Sequence, residues 1–246
     1  MDKKIRNPKS HRAYPEPPSI LVISDAHIPF NHPQSLLFLD AVATKYHCTV
    51  YKSVGDLLDH AAVNYHEKEY GLPDPQQELE LSKKELKKWE ERFPNMTICS
   101  SNHGDLPLRK AKTAGIPADM IKDYNQIYGL KTFIWVEEEY FDIGYGQYCL
   151  LTHTVSGNAR TNANKFSHCS VQGHHHSEYG VHYYADHASL RWHAATGCLI
   201  DPDSPAFNYN RGILKRPILG CAVIVDSLPY LIPMRLKPGG KWLGRI

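Results

Sequence analysis

No apolar run in this chain approaches the roughly 18 residues of a membrane-spanning helix. The opening MDKKIRNPKSHRAYPEPPS is basic and proline-rich with no apolar stretch, so neither a signal peptide nor a membrane anchor is expected there. The six cysteines include no C-x-x-C pair. Cys99, Cys149, Cys169 and Cys221 sit inside apolar, strand-like text, and Cys48 and Cys198 are isolated, which suits free buried thiols in a reducing compartment better than disulfides. Internal repeats and low-complexity segments are absent. So is any strong charge of one sign: the formal net charge is +2, where a protein gripping long stretches of nucleic acid would be more basic. A soluble, cytoplasmic protein with no membrane partner is the expectation.

What is abundant is histidine, with 15 residues scattered through a chain of 246 and the only triplet lying mid-chain. Hydrophobic content of 42% and charged content of 22% are ordinary for a globular protein long enough to bury a full core. Ile20-Leu-Val-Ile-Ser24 reads as a strand buried on both faces and ends in Asp25-Ala-His27. Pro33 then opens an expected helix over 34–46, and a second strand over 48–54 ends in Gly55-Asp56. That is a βαβ unit with its polar residues at the carboxyl ends of the strands.

Farther along, 76–92 reads as an exposed amphipathic helix, and a strand over 96–100 delivers Asn102-His103. Short helices are expected within 105–128. From 131 the text is β-rich, with strands over 131–136, 147–152, 169–173, 178–184, 188–194 and two runs between 218 and 234, and one helix over 158–167. The expected class is α/β (α+β), a two-sheet β-sandwich flanked by helices. Residues 1–19 are expected as a flexible arm, 20–236 as one domain and 237–246 as a surface tail.

Five polar motifs each follow an apolar run: Asp25-x-His27, Gly55-Asp56, Asn102-His103, His153 and Gly173-His174-x-His176. Imidazole and carboxylate are the ligands that divalent metals take at hydrolytic sites. Alternation on extended chain would point Asp25 and His27 to one side, and likewise His174 and His176, leaving His175 aside. Asp56 can bridge two ions, and Asn102 adds a neutral oxygen that keeps the site from becoming too negative for a phosphate. Two ions so held clamp the attacking and leaving oxygens of an in-line displacement and make hydroxide available near neutral pH.

In this order the motifs resemble the calcineurin-like metallophosphoesterase family, from about residue 20 to 176. The resemblance implies one ion on Asp25, His27, Asp56 and His176 and a second on Asp56, Asn102, His153 and His174. It also implies that His103 contacts the phosphate and protonates the leaving group, beside the catalytic Asp56. The family's turn glycine is replaced by Ser101, and the acid that orients the histidine is displaced to Asp105, so the orientation of His103 stays open. The ions implied are two divalent metals, Mn first, with Fe, Zn, Co and Mg as alternatives. The resemblance extends to small phage-encoded phosphoesterases, some of which act on deoxynucleotides; for such a protein the compartment would be the host cytoplasm.

Candidate substrate contacts are Arg109 with Lys110 and Lys112 after Asn102-His103, Arg160 with Lys165 after His153, and Tyr65, His66 and Asp105; each has a surface or packing role as its alternative. Asp59 and His60 are ambiguous, and His182, His187 and His193 read as structural or surface residues. A phosphomonoesterase acting on nucleoside or deoxynucleoside 5′-monophosphates leads, because the compact chain leaves little room for a nucleic-acid-binding cap. A phosphodiesterase or nuclease on DNA, RNA or cyclic nucleotides is the alternative, followed by a non-catalytic protein-binding module on the same fold.

Overall fold

The computed structural model describes residues 16–65, 70–154, 168–185, 187, 189–210 and 216–246, the side chains of 208–210 excepted. Strand β1 (Ile20–Ile23) is buried at all four positions, and its residues divide by face. Leu21 and Ile23 join a core beneath the helices, whereas Ile20 and Val22 join a second core between two sheets. A strand with apolar residues on both faces must be covered on both, and this alone fixes a layered architecture.

The first sheet has six strands in the order β11-β10-β1-β2-β3-β4. Strands β2 (Val50–Ser53), β3 (Thr97–Cys99) and β4 (Ile134–Val136) run parallel to β1, β10 (Gly220–Val225) pairs antiparallel with β1, and β11 (Leu228–Pro233) pairs antiparallel with β10. The second sheet has the order β5-β6-β7-β9-β8, from Glu139–Gly144, Gln147–Thr152, Cys169–Gln172, Leu190–Thr196 and Tyr179–Ala185. Strands β6, β7 and β9 are mutually parallel. The expected two-sheet sandwich with flanking helices is what forms, and no described helix is long and apolar enough to cross a membrane.

Helix α1 (Ser35–Lys45) turns Phe38, Leu39, Val42 and Ala43 onto the first sheet. Helix α2 (Pro75–Arg92) starts at a capping box: the Asp74 carboxylate accepts from the Gln76 and Gln77 amides, with proline at the first helical position. Its Leu86 and Trp89 are fully buried while its lysines face outward, as its periodicity implies. Helices α3 (Leu106–Thr113) and α4 (Tyr124–Tyr128) are the short helices expected within 105–128. The sheets are tied across their interface by Lys52, whose Nζ lies 2.5 Å from Glu139 Oε2 and 2.9 Å from Thr97 Oγ1.

Three expectations need comment. Strand β5 is absent from the sequence reading, although Phe141 and Ile143 alternate towards the core and Tyr145 and Gly146, both left-handed, make the tight turn into β6. The helix expected over 158–167 lies outside the described residues. The surface tail expected at 237–246 is corrected: Gly239 and Gly240 turn the chain back, and Trp242, 6% exposed, packs its ring 5.7 Å from that of Phe38 on α1. The Trp242 amide donates to Gln34 Oε1, and the Gly240 carbonyl accepts from the His32 ring. Residues 17–19 are likewise tied down, Ser19 donating its hydroxyl to the Tyr46 carbonyl.

Removing this indole leaves a cavity under α1. Trp242→Ala should cost about 3 kcal/mol of stability, read as a lower urea midpoint with unchanged slope. An unaltered midpoint would show the segment to be a passive tail.

Candidate metal centre

The carboxyl ends of β1, β2 and β3 in one sheet and of β6 and β7 in the other open onto the same point. Asp25 and His27 follow β1, Asp56 follows β2, Asn102 follows β3, His153 follows β6, and His174 and His176 follow β7. All seven expected ligands are thereby brought together. Asp25, His27, Asp56 and His176 offer atoms lying within 4.8 Å of one another, and so do Asp56, His153 and His174. His27 Nε2 stands 3.1 Å from His176 Nε2, and His176 Nε2 stands 3.3 Å from Asp25 Oδ2. On the other side, Asn102 Oδ1 is 2.7 Å from His153 Nε2 and 3.0 Å from His174 Nδ1. Asp56 Oδ2 lies between the two sets, 3.6 Å from His27 Nε2 and 3.2 Å from His153 Nε2.

The extended chain expected at Asp25–His27 and His174–His176 does not form. His27, Asp56 and His174 have φ of +54°, +42° and +70°, so they sit in left-handed turns rather than on extended chain. Three such residues other than glycine, each costing of order 1–3 kcal/mol, mark backbone bent to aim side chains. The preceding glycines are required by space. A Cβ on Gly173 would lie 2.1 Å from Asp25 Oδ1, and one on Gly55 would lie 2.8 Å from His153 Nδ1.

Whether a cation suits this place can be tested on the hydrogen bonds. His153 Nδ1 is 2.9 Å from the Val54 carbonyl, which can only accept, so the ring proton sits there. The bare Nε2 of the neutral ring then faces two oxygens, those of Asn102 and Asp56. His27 repeats the pattern: its Nδ1 donates to Asp59 Oδ1 at 2.6 Å and its Nε2 lone pair faces His176. Asp25 Oδ1 is buried with no hydrogen-bond partner. Lone pairs pointed at lone pairs in a dry site need a proton or a cation between them. The donor set, imidazoles with carboxylates and no thiolate, fits divalent transition metals.

Protons take that place when no metal does. Burial opposes charge on His153, but the Asp56 and Asp25 carboxylates outweigh it and push the ring up to about 9. Burial likewise opposes ionisation of Asp56, yet His153 and His27 hold it well below the usual carboxylate range. Burial lowers His27, keeping it neutral and ready to ligate.

His103 stands beside this cluster, its ring centroid 4.7 Å from that of His27. The expectation that Asp105 orients it is corrected: Asp105 accepts from the Ser100 hydroxyl instead. The residue that holds His103 is Asp59, whose Oδ1 and carbonyl both lie 3.0 Å from His103 Nδ1. Against the cost of burial, Asp59 and Asp56 push His103 up to about 9. Asp59 itself, despite burial, is brought down to about 2 by His103 and His27. The sequence signal for Asp59 was its place one turn beyond Asp56, with Leu57 and Leu58 between them going into the core.

Of the expected substrate contacts, Arg109 donates Nη2 to the Asn102 carbonyl at 2.7 Å, and so sits at the rim of the centre. Tyr65 is 71% exposed with the Lys110 ammonium 4.7 Å above its ring, in neither ligand group. His66, Arg160 and Lys165 lie outside the described residues. His193, expected to be structural, is fully buried against the Ser170 hydroxyl and driven down to about 4 by burial.

No family model matches the sequence, and no curated protein does. Among solved structures, the chain is similar to Yfce, a phosphoesterase from E. coli, at 12% identity over 87% of this chain and 92% of that one, TM-score 0.44. Vacuolar Protein Sorting 29 from Cryptosporidium parvum matches at 11% identity over 89% of this chain and 97% of that one, TM-score 0.41. Nuclease MPE from Pseudomonas putida matches at 13% identity over 87% of each chain, TM-score 0.38. At these identities the reading of the site rests on its own residues.

Two measurements probe this geometry. In metal-free protein the His103 ring protons should titrate by NMR near pH 9, and Asp59→Asn should bring the midpoint down towards the ordinary histidine value. An unmoved midpoint would assign the shift to another carboxylate. Gly173→Ala, which pushes Asp25 aside, should weaken divalent-metal binding about 10- to 100-fold.

Proposed function

We propose that this chain is a two-metal phosphoesterase that removes phosphate from monoesters, nucleoside and deoxynucleoside 5′-monophosphates foremost. The observation that carries the reading is Asp56 Oδ2 lying between two sets of bare imidazole nitrogens, with Asn102 and Asp25 oxygens completing them. Divalent ions at such a place supply Lewis acidity to a phosphoryl oxygen and lower the pKa of water from about 15.7 towards about 7. Asp25, His27, Asp56 and His176 would hold one ion, and Asp56, Asn102, His153 and His174 the other; Mn is the first candidate.

The protein's own part is to hold and move a proton. His103, 17% exposed at its side chain, keeps one face to the opening and its Nδ1 on Asp59, so Nε2–H is the free donor. With its pKa raised to about 9 it carries that proton at neutral pH, as a general acid for a departing alkoxide must. Its amide donates to Asp56 Oδ1 at 3.0 Å, which ties the acid to the bridging carboxylate and fixes their separation. The near-neutral net charge supports a small anionic substrate over a long nucleic acid.

A panel of nucleotides, oligonucleotides and an aryl phosphate monoester and diester, assayed with added Mn²⁺, tests this. Hydrolysis should depend on the metal and favour the monoester. Asp56→Asn should abolish turnover, and His103→Gln should lower kcat by about 10²–10⁴-fold. Preference for the diester, or nicking of plasmid DNA at low enzyme, would move the assignment to the phosphodiesterases. A protein that hydrolyses none of these with metal present would be a binding module.

A further inference from the structure

Beside the metal centre lies a cleft of about 690 Å³ between α3, the turn over 118–124 and the end of β4. That volume falls within the range of small-molecule sites. The cleft adjoins the centre: Ser100 and Glu137 line both it and a smaller hollow of about 180 Å³ whose wall includes Asn102 and His153. The organic part of a phosphate ester held at the centre would therefore lie next to it.

The cleft has an apolar floor, with Leu108, Ile121 and Val136 around the rings of Trp135 and Tyr124. Those two rings pack at 4.7 Å, and their polar atoms are already satisfied. The Tyr124 hydroxyl donates to the Gly104 carbonyl at 2.5 Å, and Trp135 Nε1 donates to Asn125 Oδ1 at 2.9 Å. What remains to a ligand is flat apolar surface, as a nucleobase requires.

The rim is charged, and its charges differ in how far they are committed. Asp105, Arg109 and Lys112 share one face of α3, and Lys122 approaches from the opposite wall. Two of the three carboxylates are engaged: Asp105 takes the Ser100 hydroxyl and Asp123 caps α4 at the Gln126 amide. Arg109 ties one amino group to the Asn102 carbonyl and keeps the rest of its fork. Lys112 and Lys122 form no ion pair among the described residues, so although Asp105, Asp123 and Glu137 balance the three cations of the lining in number, these two ammonium groups stay unpaired and open to an anion. A mononucleotide brings one phosphate, and that one is spent at the metal centre.

We propose that this cleft binds a nucleoside carrying a second phosphate, its base on Trp135 and its far phosphate between Lys112 and Lys122, while the 5′-phosphate lies at the metal centre. The proposal deepens the phosphomonoesterase reading and rests on it. A nucleoside 3′,5′-bisphosphate and the 5′-phosphorylated end of an oligonucleotide present the same chemistry. In the Mn²⁺-loaded protein, kcat/KM for both should be compared with that for the 5′-monophosphate and for an aryl phosphate, which engages the centre without the cleft.

We expect the second phosphate to raise kcat/KM roughly ten-fold, mainly through KM, and Lys112→Glu with Lys122→Glu to erase that ratio. The better of the two substrates identifies the source. Independently of turnover, calorimetric titration of nucleoside 3′,5′-bisphosphate into chelator-treated protein should show roughly ten-fold weaker binding in the double variant. Equal binding by both proteins overturns the cleft assignment, whatever the kinetics show. Binding that weakens as expected in a protein that hydrolyses nothing, the aryl phosphate included, keeps the cleft and overturns the phosphoesterase reading instead.

Discussion

Atoms that repel one another are gathered at the mouth of two sheets, and much of the surrounding structure serves to hold them there. Asn102 Oδ1 and Asp56 Oδ2 face His153 Nε2 at 2.7 and 3.2 Å, so lone pairs meet there unless a proton or a cation stands between them. Such a cluster cannot hold itself together. It is held by the carboxyl ends of five strands, three from one sheet and two from the other, whose registry is fixed by the apolar core between them. Lys52, bridging β2 to Glu139 on β5 and to Thr97 on β3, clamps that registry close behind the site.

A second layer of polar contacts locks the loops that the strands release. The Glu78 carboxylate on α2 accepts from the amides of Ala61 and Ala62, fixing the turn that follows Asp59 and His60. His60 is lowered by burial and therefore neutral, so it can donate from one nitrogen and accept at the other. Its Nδ1 meets the His103 carbonyl at 2.9 Å, and its Nε2 takes the Tyr128 hydroxyl at 2.8 Å. Tyr124, one turn earlier on α4, reaches the Gly104 carbonyl. The short helix α4 thus holds the loop bearing Asn102 and His103 directly at the Gly104 carbonyl and, through His60, at the His103 carbonyl.

The clustering of the candidate ligands was legible in the sequence because they follow apolar runs, and the end of a buried strand is visible in composition. Asp59 could not be read in the same way. Its function depends on the turn after Asp56, where two leucines dive into the core and return the chain facing the site, and a carboxylate in a turn looks like any solvated aspartate. The same holds for Trp242, whose burial depends on two glycines reversing a segment that reads as polar tail. Left-handed backbone at His27, Asp56 and His174 was equally hidden: Asp and His are enriched there among residues other than glycine, but only a small fraction of them adopt it. Pattern shows where a strand stops; it does not show how the chain bends next.

This bending has a consequence for how the site is filled. With three ligand residues in left-handed turns and the carboxylates of Asp25 and Asp56 nearly dry, the protein has already met the cost of assembling the centre before any ion arrives. The residual repulsion is relieved by protons, most plainly on His153, which holds one up to about pH 9 because Asp56 and Asp25 overcome its burial. A cation held by His153 would have to displace that proton, so its uptake would strengthen as pH rises towards 9 and weaken as pH falls. The proton on His103 answers first to Asp59, which also holds His27, and then to Asp56. Because its first acidic partner is Asp59 rather than the Asp56 that dominates His153, His103 would keep its proton where His153 gave its own up to a metal.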